Sequence, residues 1–322
     1  MKATIAWLNA AIAGKELSAG MTYYKVNDDT ISATDGKLTA CAPWPYGGKF
    51  FVPGAEFEKV LKRMSGEPKI TEAEGCIKIK SGRFSGTIQT LPLTEWGYPG
   101  IEKADWQKIP KGLLPLLAAL RPFVSENEQP AWGRCVALED GWAYATNNMT
   151  IAGAACKELG AVKALLPAEA LDFILGRVDG LSEWTGDDNF IAFRWANGAW
   201  MRTQLVVGQF PEKAAALVKG AWKQKPTQKV SDEFKEALER VSELAEDTVL
   251  IYADRLEARF DKAVVEDGVK CEVPKGVKCS IWGAKFLLPA LQAADAWAPA
   301  VWPSPAPFKG PLVAGYIVGR RQ

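Results

Sequence analysis

Apolar and polar positions along this chain follow two periods that take turns. Ile31 to Ala42 reads ISATDGKLTACA, with side chains alternating on either side of Asp35-Gly36. A period of two predicts strands, and Asp-Gly suits the positive φ of a tight hairpin turn. Ala143 to Ala154, AYATNNMTIAGA, repeats the pattern with Asn147-Asn148 at the turn. A weaker third copy is Val249 to Phe260, VLIYADRLEARF. After each hairpin the period lengthens to that of a helix. Phe51 to Met64, FVPGAEFEKVLKRM, places Phe57, Val60, Leu61 and Met64 on one face and Lys59, Lys62 and Arg63 mostly on another. Leu166 to Val178 does the same with Leu171, Ile174, Leu175 and Val178, and Ile281 to Ala293 is its third counterpart.

A helix is also predicted ahead of each hairpin: Ile5 to Glu16, about Gly112 to Arg121, and Ser231 to Leu244 with Phe234, Leu238, Val241 and Leu244 as its stripe. Strand regions close each copy at Gly82 to Leu91, Trp200 to Val207 and Leu312 to Val318, the first two running into the turns TEWGYPG and GQFPE. The order is helix, hairpin strands, helix, hairpin strands, three times over. The period is roughly 107 residues, far longer than a solenoid unit, which predicts repeated whole domains. Their expected spans are 1–104, 105–216 and 217–322, with one junction near Lys103–Asp105 and the other in the Lys- and Gln-rich stretch Leu217 to Lys229, read as an exposed linker. Pro115 and Pro289 fall inside predicted helices, where proline costs about 3 kcal/mol unless it sits in the first turn. Ala296 to Gly310 is a Pro-rich connection without a period.

Composition narrows the chemistry. No apolar run approaches the roughly 18 residues that cross a bilayer. The first residues, with Lys15 and Glu16 close behind, read as an amphipathic helix and not a signal peptide, so a cytoplasmic location is expected. Histidine is absent from all 322 residues, which excludes Ser-His-Asp and Cys-His catalysis and His-ligated zinc or iron. The net charge is +1, which excludes a uniformly basic nucleic-acid glove but not a local basic surface. The six cysteines contain no CxxC pair and read as buried free thiols, and neither metal nor cofactor is expected. Asp187-Asp188 suits a turn, Gly-rich phosphate loops are missing, and most of the 13 Trp residues, Trp96 and Trp142 among them, read as core or seam packing.

Taken in order, ATDGKLTACA, the ATNN turn before MTIAGA, LLPAEALDFIL, TQLVVGQFPE and the terminal YIVGRRQ resemble the bacterial-type DNA polymerase sliding clamp, the β-subunit processivity factor. The chain looks like a shortened, phage-encoded version. The resemblance covers nearly the whole chain. It implies an α+β fold of three clamp domains, each two βαβββ-like halves, and a head-to-tail homodimer with sheets outside and helices lining a ring. It implies no catalytic activity. The ring would encircle double-stranded DNA without sequence preference and tether a DNA polymerase, a job that needs weak, mobile phosphate contacts.

Candidate inner-surface cations are Lys15, Lys59, Lys62, Arg63, Lys111, Arg121, Arg177, Lys235, Arg240 and Lys285, each on or beside a predicted helix. An ordinary solvated helix face is the competing reading, and Lys59, Lys62 and Arg63 form the strongest cluster. The resemblance further implies a groove that takes a short hydrophobic peptide from the polymerase and the clamp loader. Its matching positions are Thr146, Asn148, Met149, Thr150 and Ile151, with Val318, Gly319, Arg320 and Arg321 at the tail and Trp132 beside them. The family's turn is Asp-Gly followed by His and Arg, and its tail carries Met-Pro; this chain has Asn-Asn-Met-Thr and Gly-Arg-Arg-Gln. Two other classes remain open at this stage: a carbohydrate-active module using Trp-lined clefts, and a structural β-rich protein such as a virion component.

Overall fold

The computed structural model describes residues 1–93, 97–101, 104–125, 130–160 and 162–321. Trp96 and the junction residue Lys103 lie outside them. The predicted order of elements recurs three times. The first copy runs α1 (Lys2–Leu8), β1 (Tyr23–Asn27), β2 (Thr30–Thr34), β3 (Leu38–Pro43), β4 (Lys49–Pro53), α2 (Gly54–Arg63), β5 (Lys69–Ala73), β6 (Cys76–Ser81), β7 (Phe84–Gln89) and the short β8 (Leu91–Pro92). The second runs β9 (Gln107–Lys108), α3 (Leu113–Leu120), β10 (Cys135–Glu139), β11 (Trp142–Thr146), β12 (Thr150–Ala155), β13 (Lys163–Pro167), α4 (Ala168–Leu175), β14 (Leu181–Gly186), β15 (Phe190–Trp195) and β16 (Trp200–Gln204). The third runs α5 (Glu212–Ala221), β17 (Gln228–Lys229), α6 (Asp232–Glu243), β18 (Thr248–Ile251), β19 (Leu256–Phe260), β20 (Ala263–Asp267), β21 (Ser280–Gly283), α7 (Ala284–Gln292), β22 (Ala296–Trp297), β23 (Ala306–Lys309) and β24 (Ala314–Ile317).

All named pairings are antiparallel, and the first half of every copy has one topology. Its three-strand meander is flanked by a fourth strand that returns beside the first: β4-β1-β2-β3, β13-β10-β11-β12 and β21-β18-β19-β20. The second halves are the meanders β5-β6-β7, β14-β15-β16 and β22-β23-β24. Halves from successive copies then fuse. β16 pairs with β3, Met201 opposite Ala40, and β24 pairs with β12, Ala152 opposite Gly315. Because of this fusion the chain packs into two compact units, Met1–Ile109 with Gly176–Leu205, and Pro110–Leu175 with Val206–Gln322.

α2, α3, α4, α6 and α7 form where the apolar stripes predict them, with trimmed ends, whereas the helix expected over Ile5 to Glu16 is only Lys2–Leu8 with a 3-10 turn at Asn9–Ala11. α6 is capped by Ser231, whose hydroxyl accepts from the Phe234 amide at 3.2 Å, and Asp232 and Glu233 complement its N-terminal dipole. Phe234, Ala237, Leu238 and Val241 are buried along it, but Leu244 falls past its end and is 45% exposed. α4 likewise stops at Leu175 and leaves Val178 exposed. Pro115 sits in the first turn of α3, where its missing N–H is harmless, whereas Pro289 is internal to α7.

Two expectations change. The third hairpin copy is offset by one strand. VLIYADRLEARF folds as β18–β19, the first hairpin of its copy, while the counterparts of β2–β3 and β11–β12 are β19–β20. The four-residue turn between β18 and β19 produces the sequence likeness, whereas the true counterpart turns on only Asp261-Lys262. The stretch Leu217 to Lys229 is not wholly a linker, because its first five residues complete α5. Ala215, Val218 and Ala221 make a buried stripe of α5 that packs on β12 and β24. Gly153 permits that approach, since a Cβ there would stand 2.9 Å from Val218 and 2.4 Å from a strand carbonyl.

Candidate functional site

The β2–β3 and β11–β12 turns are built from the same set of contacts. Asp35 Oδ1 accepts from the amides of Lys37 and Leu38 at 2.9 and 2.7 Å, and Asn147 Oδ1 accepts from Met149 and Thr150 at 3.2 and 2.8 Å. The threonine before each closes the loop: Thr34 Oγ1 donates to Leu38 O at 3.0 Å, and Thr146 Oγ1 to Thr150 O at 2.8 Å. The next position is left-handed in both, Gly36 at φ 91° and Asn148 at φ 67°. Asn is among the few non-glycine residues that tolerate this region. Asn147-Asn148 therefore replaces Asp-Gly without altering the turn.

The β11–β12 turn meets the end of the chain. Val318 donates its amide to Met149 O at 2.9 Å, continuing the register of β24 past the turn. Beyond it the tail is fixed. Gly319 lies under Trp302, the Arg320 amide donates to Ile281 O at 2.8 Å, and the Arg320 guanidinium forms a two-point ion pair with Asp247, one arm at 2.8 Å. That guanidinium holds the Asp247 carboxyl below the usual carboxylate range. Arg321 is exposed.

The structure gathers part of the sequence-predicted groove. Trp132 and Ile151 are half-buried against one apolar cluster that also holds Cys135, Tyr144, Leu165, Phe210, Ala215 and Val218. Trp132 meets Phe210 edge-on at 5.8 Å, and Phe210 stacks on Tyr144 at 5.2 Å. Met149 and Val318 adjoin through their hydrogen bond. Thr146 and Thr150 are buried in the turn itself, and Asn148 is exposed at its tip. Gly319 and Arg320 go instead to the tail clasp. Sequence reasoning missed Phe210, Ala215 and Val218. Their signal is GQFPE followed by AAALV, an apolar stripe with helical spacing.

The ten cations divide by what holds them. Lys15, Lys59, Arg63 and Lys111 are exposed. Lys62 is also exposed and pairs with Glu58 at 3.5 Å. Lys59, Lys62 and Arg63 line one open cavity with Val60 and Phe84, of about 580 Å³. Arg121 makes a two-point pair with Asp172 at 2.6 and 2.8 Å, and Arg240 pairs with Asp267 at 2.7 Å and Glu236 at 3.8 Å. Lys235 donates to Gln292 O at 3.2 Å, Lys285 lies over the Phe286 ring, and burial lowers the Arg177 pKa.

Asp187 Oδ1 accepts from the amides of Asn189 and Phe190 at 2.7 and 3.0 Å, which makes the acidic pair a turn. All six cysteines are free; burial pushes the Cys41 thiol up to about 11 and those of Cys135 and Cys271 up to about 12. Among the described residues no group of three or more His, Cys, Asp or Glu could hold a metal ion, and no helix is long and apolar enough to cross a membrane.

No family model matches the sequence, and no curated protein matches it. Solved structures do. The DNA polymerase sliding clamp of Bacillus subtilis superposes with a TM-score of 0.80 at 16% identity, covering 100% of this chain and 97% of that one. The DNA polymerase III subunit beta of Pseudomonas aeruginosa gives 0.78 at 15% with the same coverage. The chain has the sliding-clamp fold. A third clamp structure, the Helicobacter pylori beta clamp bound to a DNA ligase peptide, matches at 0.74 and 14% identity, again over 100% and 97% of the two chains. These sources are bacterial, and a phage origin gains no support from them. Read as a sliding-clamp fold, the three copies are its three-domain organisation.

Proposed function

We propose that the protein is a non-catalytic DNA sliding clamp, a head-to-tail homodimer that closes around duplex DNA and tethers a DNA polymerase in the cytoplasm. The clamp domains would be 1–104, 105–216 and 217–322, the last junction falling within α5. One observation carries the reading. At each fusion within the chain, the last strand of a first-half meander pairs with the last strand of the following copy's second half: β3 with β16, β12 with β24. The third first-half meander ends in β20 and the first second-half meander ends in β7. Among the described residues β20 pairs only with β19 and β7 only with β6. The same rule applied between copies joins β20 of one chain to β7 of the next. Two such joins close a dimer and leave neither edge exposed.

The surfaces beside these edges fit that pairing. Leu244 and Val264 are 45% and 56% exposed in the third copy, while Val60 and Phe84 line the open cavity between α2 and β7 in the first. Lys15, Lys59, Lys62, Arg63 and Lys111 are the proposed DNA contacts with freedom to follow phosphates. Arg121, Arg177, Lys235, Arg240 and Lys285 would add to the field while held by neighbouring groups. A short hydrophobic peptide from the polymerase or clamp loader would dock against Trp132, Met149, Ile151 and Val318, with Phe210 and Val218 as its floor.

Retention on DNA tests the proposal. After loading, the protein should stay on nicked circular duplex and leave once the circle is linearised. Equal retention on circular and linear DNA would reject enclosure. Reversing Lys59, Lys62 and Arg63 together should shorten retention and flatten its salt dependence, with mass in solution measured alongside because the three also line the cavity beside the proposed seam.

A further inference from the structure

The aromatic cluster at the partner groove does not end at Tyr144. Tyr144 stacks on Trp142 at 6.0 Å and 6°, so four rings form a ladder from Trp132 through Phe210 and Tyr144 to Trp142. The middle rings are only 3% and 1% exposed, and the two terminal tryptophans are half-open. At the Trp142 end lies a separate cavity of about 480 Å³, within the range of small-ligand sites. Trp142 and Trp222 wall it, Leu116 and Leu312 add apolar surface, and Lys111 and Glu158 are its charged lining groups. Leu312 is 45% exposed there.

We propose that this cavity is a second anchor site, taking an aromatic side chain next to a single carboxylate on a partner's peptide. The identification of the partner as a peptide rests on the clamp reading; the site itself does not. Each tryptophan has a lysine ammonium over one face, Lys219 at 5.6 Å from Trp142 and Lys309 at 5.4 Å from Trp222, and neither lysine lines the cavity. A cation on one face draws electron density from the ring and makes the other face a better partner for an electron-rich ring. The Lys309 Nζ also donates to Trp222 O at 3.1 Å and the Trp222 indole N–H to Gly153 O at 2.9 Å, so this wall is fixed before any ligand arrives. Lys111 then offers one positive charge to the ligand, and Glu158 opposes a polyanion. Glu158 disfavours a polyphosphate or a nucleic-acid strand, and the Lys111 ammonium is the lining group that would pair with a single carboxylate. The ladder's steps of 5.8, 5.2 and 6.0 Å set the reach between anchors, a span that roughly five extended residues cover.

The probe is N-acetyl-Asp-Trp-amide, compared with N-acetyl-Lys-Trp-amide and AMP by saturation-transfer NMR and calorimetry on the full chain. The Asp-Trp probe should bind best. Ala155→Arg, at the exposed end of β12 where Ala155 lines the cavity, should abolish that binding with circular dichroism and retention on circular DNA unchanged. Lys111→Glu should weaken the Asp-Trp probe at least fivefold and favour the Lys-Trp probe, and Trp132→Ala should leave both unchanged. No saturation transfer, binding indifferent to Ala155→Arg, or a preference for AMP each overturns the proposal. Probe binding that survives in a protein not retained on circular DNA overturns the clamp reading and leaves the anchor site standing.

Discussion

At the scale of single residues, the two matched turns make a quantitative claim. Asp35 and Asn147 each accept two backbone amides of their turns, Asp35 at a partly exposed turn and Asn147 at a buried one. Alanine at either position should therefore destabilise the fold by about 1–2 kcal/mol, and by similar amounts at the two sites. Asn148→Gly should stabilise by a few tenths, because glycine occupies φ near 67° without strain. Urea unfolding of the three variants checks this, and clearly unequal losses at 35 and 147 would show that the turns are not equivalent. The buried thiols predict a second behaviour. Cys41, Cys135 and Cys271 have folded pKa values raised from 9.0, chiefly by burial. The unfolded chain therefore ionises first as pH rises. The advantage of the neutral thiols is intact below about 9 and declines between that value and the folded values near 11 to 12. Each thiol contributes a slope of up to about 1.4 kcal/mol per pH unit in that window. Melting temperature should fall steeply above pH 9, and replacing all three cysteines by alanine should flatten the fall relative to each variant's own value at pH 7.

At the scale of elements, legibility followed how local the signal was. The helical stripes of α2, α4 and α6 and the hairpins at Asp35 and Asn147 could be read directly, because their periods are set by neighbours within a few residues. The third hairpin copy was read one strand early, since VLIYADRLEARF has the better turn while LEARFDKAVVED pairs through only two turn residues. α5 was hidden by Lys and Gly around a short Ala-rich stripe, whose helix is fixed by the strands it covers and not by propensity. The proposed groove was half-legible for the same reason. Met149, Ile151, Val318 and Phe210 stand on recognisable motifs, whereas Trp132 stands outside them and Val218 reaches the site only through the packing of α5. Arg320, expected at the groove, is drawn off by Asp247, and nothing near it in sequence signals that partner. α5 should therefore be the sensitive element. Val218→Asp would place an unpaired charge in the floor beneath Trp132 and Ile151, costing several kcal/mol. A gentler change, Ile151→Glu on the half-buried rim, should remove binding of a clamp-binding polymerase peptide in fluorescence anisotropy while leaving retention on circular DNA intact.

At the scale of the whole molecule, the proposed closure depends on two edges that stay unpaired among the described residues. A free strand edge is a hazard unless another chain covers it, and β20 is short, open and carries the exposed Val264. The adjacent Leu244, stranded beyond α6 by one residue, has no burial in the single chain that would explain an apolar residue there. Both observations have one resolution if β20 meets β7 of a second copy and Leu244 enters the cavity beside Val60 and Phe84. Light scattering of the native protein should then give twice the chain mass of 35.0 kDa. Leu244→Glu with Val264→Glu should shift that mass to a single chain, because two carboxylates would be desolvated at the seam without partners. Folding should survive, since both side chains are solvated in the isolated chain, and circular dichroism provides that control. The same double variant should lose retention on circular DNA while keeping its affinity for polymerase peptide, which separates closure from partner binding. A single-chain mass for the native protein, or a double variant that still behaves as a dimer and still stays on circles, would mean that the duplex is not held by a ring closed through β20 and β7.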